Sequence, residues 1–168
     1  MKQRDAIKMT RAEAEAFLRE GMEKNWTMFL ATNGPGGFPH VVSMGWVYLD
    51  GKVFFQTYGR SQKVINLRRD PKAAVILEAV FSGGFEHRKL RGLMLRGVCE
   101  INEDPGEVVR ILKAMWENGA ASNRRVGAQP QTDLLDFVAQ RAQKRVVIAF
   151  TPQKWASWDH GKLQSGTY

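Results

Sequence analysis

A single cysteine, Cys99, in a chain of 168 residues excludes an intrachain disulfide and any cysteine-based zinc cage. Histidine is nearly as scarce. His40, His87 and His160 stand far apart without metal-ligand spacing, no HExxH pair occurs, and no metal site is expected. The G-x-S-x-G elbow of serine hydrolases is missing. Gly34-Pro35-Gly36-Gly37 lacks the spacing and the following helix of a nucleotide-phosphate loop, and reads as a turn. There is no apolar run of about 18 residues, and the start, MKQRDAIKMTRAEAE, has no secretory core. Together these absences predict a cytoplasmic protein that does not span a membrane.

What is present is ordinary globular composition with one bias. Apolar residues make up 43% and charged residues 25%, enough for a hydrophobic core in a single domain spanning residues 1–168. The net charge is +8, which favours an anionic partner: nucleic acid, a membrane surface or a phosphorylated small molecule. The basic residues are spread over several segments, and no strand carries the paired aromatics of an RNA-recognition motif. Nucleic acid is therefore not the expected partner.

Thr10 to Lys24 predicts an amphipathic helix opened by a Thr10/Glu13 capping box. Trp26 to Asn33, Pro39 to Leu49 and Lys52 to Tyr58 read as strands, the last two joined by Asp50-Gly51, a strong hairpin signal. Ser61 to Pro71 predicts a short helix capped by Ser61. Lys72 to Val80 and Leu90 to Ile101 read as strands, the second with Gly92 and Gly97 as bulges or places of close approach. A helix opens at Asp104-Pro105 with Val108, Val109, Leu112, Met115 and Trp116 inward. Residues 118–131 read as a polar loop, Thr132 caps a helix carrying Leu134, Leu135 and Val138, and Arg145 to Pro152 closes the strand set. The first-half strands are connected by hairpins rather than by crossover helices. This predicts a mainly β, α+β fold: a split β-barrel of six or more antiparallel strands with flanking helices.

Chemistry concentrates in Thr57-Tyr58-Gly59-Arg60-Ser61-Gln62-Lys63, at a strand end entering a helix. Hydroxyls, cations and free N–H groups at a helix start can seat a phosphate. The same residues also suit a plain helix cap with solvated cations, and on residue types alone the two readings stand side by side. Cys99 reads as a small buried apolar residue, and Phe54, Phe55 and Trp116 as core.

The run from Ala31 to Leu77, with Thr57-x-x-x-Ser61-x-Lys63 followed by Asn66-Leu67-Arg68-Arg69-Asp70-Pro71, resembles the pyridoxamine 5′-phosphate oxidase-like FMN-binding split β-barrel family. The LRGVCEI strand and the SWDHGKL tail extend the resemblance, which is greatest to the flavin- and deazaflavin-dependent oxidoreductases. It implies a homodimer holding FMN or a deazaflavin of the F-420 type at the subunit interface. It also implies that Thr57, Ser61 and Lys63, helped by Arg60, hold the phosphate. Ser43, Met44, Gly45 and Trp46 would lie along the ring, with Gln56 and Tyr58 close by. Trp158, with Trp155 and His160, would cover the partner's cofactor or else plug the barrel. The implied activity is hydride transfer to or from a small organic substrate, with a non-enzymatic flavin or haem carrier as the alternative. Gln62 stands where the vitamin-pathway oxidases carry arginine, and their C-terminal arginine motif is missing, which argues against that particular substrate. A deazaflavin's longer anionic tail would use Arg60, Arg68, Arg69, Arg124 and Arg125.

Overall fold

The computed structural model describes residues 3–79, 90–125 and 134–163. After a single turn, α1 (Gln3–Ala6), comes α2 (Arg11–Glu23), whose capping box forms as the sequence predicts. Thr10 Oγ1 accepts from the Glu13 N–H at 3.3 Å, and Glu13 Oε2 accepts from the Thr10 N–H at 2.6 Å. The Lys162 ammonium, 2.6 Å from the same carboxylate, ties the C-terminal turn to this helix. Its hydrogen bond, with those from Thr10, holds the Glu13 pKa down at about 2.

Seven strands follow: β1 (Met28–Asn33), β2 (Pro39–Met44), β3 (Trp46–Leu49), β4 (Lys52–Tyr58), β5 (Lys72–Glu78), β6 (Arg91–Asn102) and β7 (Arg145–Asp159). They form one sheet in the order β2-β1-β5-β6-β7-β4-β3, every neighbouring pair antiparallel. The two edge strands, β2 and β3, are separated in the chain by Gly45 alone. One residue cannot bridge a flat seven-stranded sheet, whose neighbouring strands lie about 4.8 Å apart. The sheet therefore curls until its edges meet, giving the expected split barrel.

Period-two alternation fills the interior. Met28, Leu30, Val53, Phe55, Val75, Leu77, Leu93, Leu95, Ile148 and Phe150 point inward and are buried, and Phe17 and Leu18 of α2 pack onto them. A second cluster lies outside the barrel, where Val47, Phe54 and Val147 meet Val108, Ile111 and Leu112 of α4 (Pro105–Arg125). The Asp50-Gly51 turn has φ of 51° and 77° at its two residues, the pair of left-handed values that a type I′ hairpin needs.

Four expectations need correction. Pro39 to Leu49 is not one strand: it breaks at Gly45, where the chain leaves its pairing with β1 and begins pairing with β4. Helix α4 runs on to Arg125, so the first half of the predicted polar loop is helical. Its buried stripe uses Ile111, while Val109 is 39% exposed. Strand β7 continues past Pro152 to Asp159 and absorbs the tryptophan-containing tail as the partner of β6. Residues 126–131 of the loop and Thr132 lie outside the described residues, as do 81–89; α5 (Leu134–Arg141) begins just beyond.

Gly97 marks a register shift between β6 and β7, and a Cβ there would sit 2.0 Å from the backbone oxygen of Thr151. Gly119, inside α4, has open space around it. Gly97→Ala should therefore cost about 2–3 kcal/mol in urea unfolding, as overpacking against backbone does. Gly119→Ala should gain about 0.5–1 kcal/mol, the usual helix-interior preference.

Candidate functional site

Strand β4 delivers Thr57 to the barrel interior, on the face of Val53 and Phe55, where it is 6% exposed. The chain then turns through Tyr58, Gly59 and Arg60 into α3 (Gln62–Arg69). Lys63, the second residue of the helix, reaches back and donates from Nζ to Thr57 Oγ1 at 3.1 Å. Ser61 Oγ lies 3.4 Å from the same hydroxyl. Here the structure corrects one expectation. Ser61 occupies the N-cap position with extended backbone, but its side chain does not cap the helix. The hydroxyl turns toward Thr57 instead. Of the first-turn N–H groups those of Gln62 and Lys63 stay uncapped, while that of Val64 donates to the Ser61 carbonyl at 3.0 Å.

The result is a cluster of two hydroxyls, an ammonium and an uncapped helix start with no counter-charge. Among the described residues, no carboxylate pairs with Lys63. Burial pushes its pKa below the ordinary lysine value, because no anion repays the desolvation of the charge. An arrangement of this kind seats a phosphate through charge-assisted hydrogen bonds, and it fits the phosphate end of a flavin nucleotide.

A buried polar chain holds the helix in place. Gln62 Nε2 donates to Asn66 Oδ1 at 2.8 Å, and Asn66 Nδ2 donates to Thr32 Oγ1 at 3.0 Å. Thr32 Oγ1 in turn donates to the His40 carbonyl at 3.4 Å. Asn66 is fully buried, so α3 is fastened to β1 and β2 through groups that water cannot replace. At the other end of α3, Arg69 bonds to the Asn33 carbonyl and Asn33 Nδ2 donates to Asp70 at 2.7 Å. Reasoning from the sequence missed Asn66 and Thr32 as a pair. The only available signal was a polar residue on the helix stripe otherwise formed by buried Val64 and Leu67.

The other predicted residues divide. Gln56 and Tyr58 alternate with Thr57 along β4 and leave by the opposite face, where the Arg145 guanidinium donates to Gln56 and lies 4.4 Å over the Tyr58 ring. Arg60 lies beside them, lining the same cavity as Tyr58 and Arg145. Ser43 is exposed at the end of β2, and Met44 is half-buried. Gly45 sits between strands, where a Cβ would come 3.2 Å from Met115 Cε. Trp46 is committed to the core, with its Nε1 donating to the Trp26 carbonyl at 2.7 Å, so only its backbone remains for a ligand.

Trp158 lies elsewhere in the chain. It packs flat on Gly92, where a Cβ would be 2.1 Å from its ring. Val146 is the β7 partner of Thr57, and Trp158 is twelve residues further on, about 40 Å of strand contour. Cys99 is buried and its thiol is pushed up to about 12, an inert group, in line with its reading as a small apolar residue. Among the described residues, no group of three or more His, Cys, Asp or Glu side chains could hold a metal ion. No described helix is long and apolar enough to cross a membrane. The side chains of Arg124 and Arg125 are outside the described set.

Asn66→Ala should lower unfolding stability by about 1–3 kcal/mol, because it removes the buried hydrogen bond that ties α3 to Thr32. Urea titration reads this directly. A loss below the range of an ordinary surface change would mean that α3 is held by its apolar stripe alone.

The comparisons with known proteins agree with this architecture. The sequence profile of pyridoxamine 5′-phosphate oxidase matches residues 11–159, from α2 to the end of β7. No curated protein matches the chain. Among solved structures, a conserved hypothetical protein of Mycobacterium tuberculosis is 34% identical, with 100% of this chain and 97% of that one covered at a TM-score of 0.78. An F-420 reductase is 25% identical, with 82% of this chain and 94% of that one covered at a TM-score of 0.54. A haem storage protein of Vibrio cholerae, 16% identical with a TM-score of 0.61 over 86% of this chain and 92% of its own, shares the fold. With a profile match over nearly the whole barrel and a full-length relative of the same fold, the chain belongs to the pyridoxamine 5′-phosphate oxidase family.

Proposed function

We propose that the chain, acting as a single domain over residues 1–168, is a flavin- or deazaflavin-dependent oxidoreductase. It would transfer a hydride to or from a small organic substrate, with its cofactor held between two copies of the chain. The observation that carries this reading is the Thr57–Ser61–Lys63 cluster, a half-buried cation and two hydroxyls without a counter-charge. When bound, the flavin or deazaflavin supplies the hydride chemistry itself. Lys63, Ser61 and Thr57 hold the phosphate, and the uncapped first turn of α3 adds its N–H groups. The backbone at Ser43, Met44, Gly45 and Trp46, where the chain changes strand partners, offers polar groups to the ring edge. Gln56, Tyr58 and Arg60 stand behind the cluster. The family match and the likeness to an F-420 reductase support the cofactor class.

The dimer reading rests on the sheet's outer face. Phe29 is 46% exposed, Val41 56% and Ile76 37%. Phe29 is directly opposite Ile76, and Val41 is one row away opposite Ala31. Such a contiguous apolar surface suits a second copy. A second copy would also give Trp158, remote within its own protomer, a route to the partner's cofactor.

Lys63→Ala should weaken FMN binding by about 1.5–3 kcal/mol, about ten- to a hundred-fold, while riboflavin binding stays unchanged. Raising the pH should erode FMN affinity sooner than an ordinary lysine would, because Lys63 holds its proton less tightly. Of the two cofactors, the deazaflavin should bind tighter and lose affinity more steeply with salt, since its longer anionic tail makes more screened contacts. Parallel fluorescence titrations at two ionic strengths test this. Equal FMN affinity in Lys63→Ala would remove the phosphate from this cluster, and tight binding without substrate turnover would make the protein a carrier. Phe29→Glu should shift the mass in light scattering from dimer to monomer; a monomeric parent would end the dimer reading.

A further inference from the structure

On the far face of β4 from Thr57, where β4 ends and β7 begins, lies a cavity of about 630 Å³. Tyr58, Arg60, Arg68, Glu103, Lys144 and Arg145 line it. Its charge is lopsided. Arg68 pairs with Glu103, the one carboxylate in the wall among the described residues, and also donates to the Gly59 carbonyl at 3.3 Å. Among the described residues, Arg145 is met only by neutral groups, the Gln56 amide oxygen and the Tyr58 ring, and its buried Nε has no partner. Among the described residues, neither Arg60 nor Lys144 is paired with a carboxylate. Four cations thus surround one anion in a concave space.

Lys144 adds an independent observation. Its φ is 63°, the left-handed region. The other described non-glycine residues there are Asn25 and Asp50, whose short polar side chains tolerate it; lysine gains no such relief. The turn imposes the conformation through the backbone, because the Lys144 carbonyl accepts from the Gly59 N–H at 3.0 Å. Glycine would meet that demand without strain. A strained lysine kept at the mouth of a cationic cavity points to a use for its ammonium.

We propose that this cavity binds a small oligoanion, a molecule presenting two or more phosphate or carboxylate groups, at a site separate from the Thr57–Ser61–Lys63 cluster. With Arg68 offset by Glu103, a single phosphate carrying about −1.5 to −2 would still leave about one of the other three cations uncompensated. A volume of about 630 Å³ suits a small ligand. Nucleic acid is not favoured, since the cations line a hollow rather than a stripe along an exposed face. The ring of Tyr58, 58% exposed, offers a flat apolar surface beside the charges.

Inorganic pyrophosphate is the probe, titrated calorimetrically into the Lys63→Ala protein so that the first cluster cannot contribute. One molecule should bind per chain, with orthophosphate weaker by about ten-fold or more. Adding Lys144→Gly should weaken pyrophosphate by about ten-fold or more while the melting temperature holds or rises, because the strain is relieved. If that variant melts lower, Lys144→Asn, which also tolerates the left-handed region, carries the same test. In the otherwise unchanged protein, Lys144→Gly should leave FMN binding as it was, so failure here is distinct from failure of the cofactor reading. Loss of pyrophosphate binding in Lys63→Ala alone would overturn the proposal. So would equal affinity for orthophosphate, or undiminished affinity after Lys144→Gly.

Discussion

The two edges of the sheet are neighbours in the chain, and that covalent fact governs the rest of the molecule. Because only Gly45 separates β2 from β3, strands that begin and end the hydrogen-bonding order must meet in space. They meet only at that point. Below it β2 stays with β1 and β3 stays with β4, so the wall opens between His40 on one side and Thr57 on the other. Helix α3 stands at this opening, its Val64 and Leu67 in the core and its Asn66 bonded to Thr32. The split is thus both the defect of the barrel and the place where its buried polar side chains among the described residues, Thr32, Thr57 and Asn66, gather.

That position explains the electrostatics of the cluster. A lysine on an open surface is solvated and exerts little selectivity, whereas one at the mouth of the split has shed part of its water. Lys63 is in the second condition, and the Thr57 and Ser61 hydroxyls are neutral acceptors that cannot return the lost solvation in full. An incoming anion can. The same strand serves two environments through simple alternation: Thr57 faces the split, while Gln56 and Tyr58 face the basic hollow with Arg145.

Much of this was legible in the sequence, and the misses have physical causes. Asp50-Gly51 predicted its hairpin because left-handed backbone at two successive residues is a strong chemical demand. The Thr10/Glu13 box and the span of β4 were equally local signals. The break at Gly45 was invisible, since β2 and β3 are both extended and what changes is the partner, a long-range property. Ser61 was read as a cap on local preference, but a tertiary neighbour, Thr57, took its hydroxyl. The length of β7 was hidden by Pro152 and by the aromatic, non-alternating tail. Its pairing with β6 across a bulge at Gly97 is what keeps it extended. Of the proposed site residues, the sequence placed Thr57, Ser61 and Lys63 together but could not place Gln56 and Tyr58 on the opposite face from them.

The order of strands in the sheet also differs from their order of synthesis in one respect that matters in the cell. Strand β7 is the last of the seven strands in chain order, yet it is a central strand, hydrogen-bonded to β6 on one side and β4 on the other. Until it arrives, two strands with apolar faces expose unpaired backbone edges at once, and the pairing of Val53 with Phe150 waits on all the chain between them. Contacts of such sequence separation close slowly. The nascent chain therefore passes through a stage with two open edges, each a template for the wrong partner. The central place of β7 thus makes closure of the sheet depend on its most distant pairings, before any cofactor is involved.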